Sequence, residues 1–357
     1  MQKLDITSAQ QLAADTLVKL IQMPSFSREE EKASKLIAQI LEQFHYRVHF
    51  KGNNIYAYSR DFVPGRFTLM LNSHLDTVRP TNGWETDPFN PILENGKLTG
   101  LGSNDAGGCL VSLLASFLLS EDLNLNYNRV FVATAEEEIS GTGGMEFVLP
   151  ELGKIDVGIV GEPTQMQMAV AEKGLMVLDC EAKGKSGHAA RTGGINAITE
   201  AIKDIEWFHS FRFPETSTIL GDVKMTVTQI HAGSQHNVIP DKCTFVVDVR
   251  TNEKYNNAQT LEIISLYVKS HLQPRSLRMN SSCIAENHPL VLAAKSLQIV
   301  CFGSPTTSDQ SVISNFPTVK MGPGDSNRSH TANEYIFVDE INHGIETYLG
   351  LLKAMEV

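Results

Sequence analysis

The chain has 357 residues, 42% of them hydrophobic and 20% charged, which suits a soluble globular protein with room for two domains. Its formal net charge of -11 argues against nucleic acid or an anionic membrane surface as a partner. The cysteines (Cys109, Cys180, Cys243, Cys283 and Cys301) are scattered and form no CxxC pair, which argues against a disulfide framework or a cysteine-based zinc site.

The N-terminus, Met1-Gln2-Lys3-Leu4-Asp5, shows no basic segment followed by an apolar one, and the longest apolar stretch, Cys109 to Leu119, is too short to span a bilayer. A cytoplasmic protein is expected. Leu12 to Ile21 has helical periodicity and stops before Pro24. Ser27 with Glu30 reads as a capping box opening a helix that runs to about Phe44. Strands are expected at Tyr46 to Phe50, Ile55 to Tyr58, Phe67 to Leu71, Val130 to Val132 and Val157 to Val160. A buried helix is expected at Ala106 to Leu119 and a short one at Gly143 to Leu149. This alternation implies an α/β fold with a mixed, largely parallel, helix-covered sheet.

The texture changes near Gly174. Strand Leu175 to Ala182, helix Asn196 to Phe208, strands Val223 to Ile230 and Cys243 to Val249, helix Ala258 to Ser270 and strand Leu277 to Ile284 follow in order. That order, β-α-β-β-α-β, matches a ferredoxin-like module. Helix Leu290 to Val300 and strand Thr318 to Met321 then restore the first pattern. The expected domains are 1–174 with 285–357, and an inserted domain at 175–284.

Five apolar runs lead into an acid or a histidine: His74 and Asp76, Asp105, Glu136-Glu137-Glu138, Glu162, and His330 beyond Gly322-Pro323-Gly324-Asp325. Open α/β sheets bind ligands beyond the carboxyl ends of their strands. Each motif alone has a bland reading: His74-Leu75-Asp76 as a turn, Asp105 as a helix cap, the glutamates as a solvated face, His330 as a surface residue. Gly100-Leu101-Gly102-Ser103-Asn104-Asp105 is not the GxGxxG of a dinucleotide site. Together, two histidines and several carboxylates are the ligand set of a two-metal hydrolytic site. Bound cations would reverse the repulsion that such acids impose on one another.

With these residues laid out, the chain resembles the co-catalytic di-zinc hydrolases, the family of acetylornithine deacetylase, succinyl-diaminopimelate desuccinylase, aminoacylase and glutamate carboxypeptidase. The resemblance covers nearly the whole chain and implies a core of the zinc exopeptidase type, with residues 175–284 as a lid and dimerisation domain. Carried over by motif, His74 and Glu162 hold one zinc, Glu138 and His330 hold the other, and Asp105 bridges them. Asp76 orients His74, and Glu137 is the general base. Gly184-Lys185-Ser186-Gly187-His188-Ala189 resembles the segment whose histidine reaches the partner's active site, which implies a homodimer. Asn237 and Arg250 stand where the family meets its substrate, and Thr307-Ser308-Asp309 is similar to a substrate-side loop that adds Ser308. The segment Met321 to Ser326, with His330 and Asn333-Glu334, looks most like acetylornithine deacetylases and related enzymes, with Gly324 near the substrate carboxylate.

The implied activity is hydrolysis of an N-acyl amino acid (N-acetyl- or N-succinyl-ornithine-like), in arginine or lysine biosynthesis. The alternatives are a dipeptidase, a carboxypeptidase, a desuccinylase or a catalytically silent binding protein. Cobalt or manganese suits these ligands as zinc does. The sequence departs from the family at Asp105-Ala106-Gly107-Gly108, which lacks a common lysine, at Ser140 and at Arg79.

Overall fold

A computed structural model describes residues 4–357; the Met1 to Lys3 part of the N-terminal reading lies outside them. No helix among the described residues is long and apolar enough to cross a membrane. The chain forms two compact units. One runs through Val170 and includes Cys283–Phe302 and Ser308–Val357; the other is Ala171–Ser282 with Gly303–Thr307.

The first unit is built on a mixed sheet. Its strands lie in the order His49–Lys51, Asn54–Tyr58, Asn128–Thr134, Thr68–His74, Val157–Val160, Thr318–Lys320, Met168–Glu172. The four strands from Asn128–Thr134 to Thr318–Lys320 are mutually parallel, so His74, Thr134, Val160 and Lys320 end at the same edge. Thr68–His74 is buried along its whole length, as a central strand covered on both faces must be. Helix Gly108–Leu119 is buried at every position. Its serines suit that place because Ser112 and Ser116 return their hydroxyls to the carbonyls of Gly108 and Ser112, each at 2.7 Å. Helices Ile6–Ile21 and Val338–Ala354 pack over it through Leu17, Val111 and Ile345. Each such side chain contributes about 1.5–3 kcal/mol by leaving water.

The second unit has antiparallel strands in the order Lys224–Ala232, Lys242–Thr251, Gly174–Lys183, His271–Pro274, joined through helices Ala197–Ser210 and Asn257–Tyr267. The two central strands alternate buried and half-buried positions. Met176, Leu178 and Cys180 meet Phe245, Val247 and Val249 in one core with Phe208 and Ile264.

Several expectations are corrected. The fourth strand of the small sheet is His271–Pro274, not Leu277 to Ile284, of which only Ser282–Cys283 is extended. The helix before it ends at Tyr267. Asp204 then captures the chain, accepting from the Lys269 and Ser270 amides and the Ser270 hydroxyl. Asn257 holds the following turn by donating to the Leu175 and Met279 carbonyls. Ser27 and Glu30 form no capping box; helix Glu31–Gln43 has no side-chain cap. Helix Pro289–Ser296 is shorter than expected and gives way to strand Cys301–Ser304. The first helix starts earlier, at Ile6, because Asp5 accepts from the Ser8 amide.

Candidate active site

Strand Thr68–His74 delivers His74 to the carboxyl end of the sheet. Its Nδ1 lies 2.9 Å from the Asp76 carbonyl oxygen, which can only accept, so that nitrogen carries the proton. Nε2 therefore faces the acids, 3.2 Å from Asp105 Oδ1 and 3.8 Å from Glu162 Oε1. Asp105 lies in the Ser103–Gly107 turn before the buried helix. Its second oxygen, Oδ2, is 3.6 Å from His330 Nε2, and His330 Nε2 is 2.9 Å from Glu138 Oε2. One carboxylate thus presents an oxygen to each histidine.

Glu162 follows Gly161, where a Cβ would stand 2.6 Å from Leu113 and 3.1 Å from Ser73. Only glycine lets the strand end so close to the helix behind it. The three glutamates diverge. Glu136 has φ 55° and turns into the glycine loop, accepting from the Gly143 amide at 3.3 Å. Glu137 groups with His74 and Glu162, while Glu138 groups with His74 and Asp105. Asp76 lies beneath them. It accepts from the Glu137 and Glu138 amides, each at 3.1 Å, and from the Ser27 hydroxyl at 2.6 Å.

The electrostatics are those of acids crowded out of water. Burial, then the Asp105 and Glu138 charges, push Glu162 up to about 8 against the pull of His74 and Lys320. Burial and the Glu162, Asp309 and Glu138 charges hold Glu137 well above the usual carboxylate range. The hydrogen bond that His330 Nε2 donates to Glu138 lifts His330 to about 9. Glu138 Oε1 is buried without a hydrogen-bond partner among the described residues. An orphaned carboxylate oxygen amid imidazole nitrogens and other carboxylates fits a divalent cation.

The substrate-side candidates lie apart from this cluster in sequence. His188 and Asn237 are brought together by the ladder of Gly187–His188 with Val238–Ile239, and the Ala189 amide donates to the Asn237 carbonyl. His188 Nδ1 accepts from the Ala190 amide at 3.1 Å, so its proton sits on Nε2. Arg250 is held by both oxygens of Asp248, at 2.8 and 3.1 Å, and donates to the Thr307 hydroxyl. Ser308 caps the turn Asp309–Val312 by accepting from the Gln310 amide. Gly324 has φ 87° and packs against Asn104, whose side-chain oxygen takes the neighbouring Asp325 amide at 3.0 Å. That amide is therefore engaged within the chain.

Sequence reasoning missed Ser27 and Glu30 as supports of the site. Glu30 is fully buried and accepts from the Glu136 amide and from the Asn53 side chain. It also missed Asp309, which accepts from Thr134 at 2.6 Å and is pushed up to about 6 by burial, and Glu334, buried behind Asp105. An acid following a ligand histidine by a few residues was a signal for Glu334; Asp309 had none beyond its motif.

The family model for peptidase family M20/M25/M40 matches residues 70–354. A LysW-lysine/LysW-ornithine hydrolase of Sulfurisphaera tokodaii is 25% identical over 360 residues, covering 96% of this chain and 95% of its own. The acetylornithine deacetylase of Buchnera aphidicola is 23% identical over 352 residues, covering 90% and 91%. The solved structure of aminopeptidase PepT from Bacillus cereus shares the fold at a TM-score of 0.77, with 20% identity over 97% of this chain and 98% of that one. The metallo-carboxypeptidase Sso-CP2 from Sulfolobus solfataricus does so at 0.74, with 17% identity over 96% and 99%.

Proposed function

Since the chain belongs to peptidase family M20/M25/M40, we propose that this hydrolase cleaves the amide of an N-acyl amino acid resembling N-acetyl- or N-succinylornithine. The observation that carries this reading is Asp105, with one oxygen facing His74 and the other facing His330. The names of the relatives, acetylornithine deacetylase and LysW-lysine/LysW-ornithine hydrolase, support the substrate class.

His74 and Glu162 would hold one divalent ion, Glu138 and His330 the second, and Asp105 both; zinc, cobalt and manganese all suit this donor set. Such a pair supplies Lewis-acid polarisation of the amide carbonyl and acidification of a water. Asp76 fixes the His74 tautomer through Nδ1 and keeps Nε2 directed at the acids. Glu137, half-buried and held with a raised proton affinity by its withdrawal from water and its acidic neighbours, accepts a proton from the attacking water and returns it to the leaving amine. His188, protonated on Nε2, is suited to donate to the developing oxyanion. Arg250 is suited to grip a carboxylate, because Asp248 fixes one edge of its guanidinium and leaves other N–H groups to give. Asn237, Ser308 and the backbone at Gly324 complete the proposed substrate contacts.

Residues 175–284 are proposed as the lid and dimerisation domain. Lys224–Ala232 supports this as an exposed edge strand, the kind of edge that pairs with another chain.

The test is a panel assay with zinc-loaded enzyme: N-acetylornithine, N-succinylornithine, N-succinyl-diaminopimelate, LysW-linked ornithine and simple dipeptides. Turnover confined to dipeptides would replace the deacylase reading with a peptidase one. Glu137→Gln should keep its metal and lose roughly two to four decades of kcat; near-normal turnover would remove Glu137 from the base role.

A further inference from the structure

Asp105 is useful as a bridge only if its two oxygens are held between two histidines that come from distant parts of the chain. Its side chain hangs from a turn, Ser103–Gly107, that lies among buried residues. The amides of that turn have no ladder to join, and unpaired buried N–H groups are costly. A single carboxylate takes two of them and the amide of Gly102 just before the turn. Glu334 Oε1 accepts from the Asn104 and Asp105 amides, each at 2.8 Å, and Oε2 accepts from the Gly102 amide at 3.0 Å. Glu334 is 2% exposed and makes no ion pair within 4.0 Å among the described residues. Its oxygens are committed to the backbone that carries Asp105.

We propose that Glu334 is the positioning residue that sets Asp105 between the two ions, a role that rests on the bridging reading above. Glu334 follows His330 in the same segment, so one stretch of chain carries a ligand for the second ion and the clamp that aims the shared one. Asn104 reinforces the register from the other side. Its side chain donates to the Asp325 carbonyl at 3.1 Å and accepts from the Asp325 amide at 3.0 Å. The chemistry demands a carboxylate: glutamine offers one acceptor oxygen, and its NH2 would face an amide N–H. Ligand geometry in such sites tolerates only about 0.5 Å, so a turn released from Glu334 loses the simultaneous reach to both histidines.

The experiment titrates Co2+ into metal-stripped, full-length protein, following heat and visible absorption. It compares wild type, Glu334→Gln, Glu334→Asp and Asp105→Ala, with the melting temperature of each metal-free form. Wild type is expected to bind two equivalents and Asp105→Ala to lose the second. Glu334→Gln should keep the first equivalent near wild type and weaken the second by roughly 10–100-fold, the usual effect of removing a partner that orients a ligand. Glu334→Asp, which keeps the carboxylate, should recover part of that loss. Two undiminished equivalents in Glu334→Gln, with the second lost in Asp105→Ala, would overturn the role of Glu334 and leave the bridge standing. Equal weakening of both equivalents would also overturn it, since that marks a general structural loss. A second equivalent undiminished in Asp105→Ala would overturn the bridge and the clamp together. If Glu334→Gln does not fold, Glu334→Asp is judged by the same split between equivalents.

Discussion

Asp76 serves four partners with two oxygens. The Ser27 hydroxyl and the Glu138 amide share Oδ2, the Glu137 amide takes Oδ1, and His74 Nδ1 stands 3.6 Å from Oδ1. Burial works to raise its pKa, but His74, Ser27 and the Glu138 amide outweigh burial and hold it below the usual carboxylate value. It is therefore an anion at neutral pH; its carboxylate fixes the backbone of two functional acids and faces the ligand ring, whose Nδ1 is hydrogen-bonded to the Asp76 carbonyl oxygen. Asp76→Asn turns an acceptor into a donor amid donors, and metal affinity should fall roughly 10–100-fold. Ser27→Ala removes one bond to a charged group and should cost about 1.5–3 kcal/mol of stability at most. Zinc content after dialysis and denaturant melts would check both; Asp76→Asn with full zinc would contradict this role. The His74-Leu75-Asp76 spacing was legible as a pair on one side of extended backbone. Ser27 was misread because its short-range signature matched a helix cap, while its real partner lies far along the chain.

At the scale of elements, the loop from strand Asn128–Thr134 to helix Met145–Val148 aims the glutamates, and its glycines decide its path. A Cβ on Gly144 would stand 2.1 Å from the Ala135 carbonyl oxygen, a backbone atom that cannot swing away. Gly144→Ala should therefore move Ala135 and Glu136 and lower both melting temperature and turnover. Gly350, inside helix Val338–Ala354, is the opposite case. Its nearest added contact is Leu297 at an ordinary 3.6 Å. Gly350→Ala should raise stability by roughly 0.4–1 kcal/mol through the entropy of the unfolded chain, with unchanged activity; thermal melts of the two variants side by side test the contrast. The central strands were readable because long apolar runs carry a burial signal. Ile92–Glu94, Lys97–Thr99 and Tyr335–Phe337 form a separate small sheet of three-residue strands, too short for any period to register. Leu277 to Ile284 had a strand-like pattern, yet Asp204 and Asn257 redirected the chain through contacts that no local window contains.

At the scale of the whole molecule, the site's acids make metal-free stability depend on pH. In the metal-free fold Glu162 stands at about 8 and Glu334 at about 7, against an ordinary 4.5. His330 stands at about 9 against an ordinary 6.5. In each case the folded state holds a proton that the unfolded chain has released or is releasing, so stability falls as pH rises through the window. For His330 the contribution is full below 6.5 and lost as pH passes about 9. For the two acids it fades from above 4.5 to about 7 and about 8. Asp76 and Asp105, both held below 3.8, act only in stronger acid and leave this range untouched. Metal binding runs the other way, because its ligands must be deprotonated and bind more tightly as pH rises. The melting temperature of the chelator-stripped protein should therefore decline from about pH 6.5 to about pH 8.5, while that of the zinc-loaded protein holds or rises, so the gap between them widens. Scanning calorimetry on both forms across that range checks it. A constant gap would mean that the crowded acids lose their protons without cost, and that the ions do not relieve them.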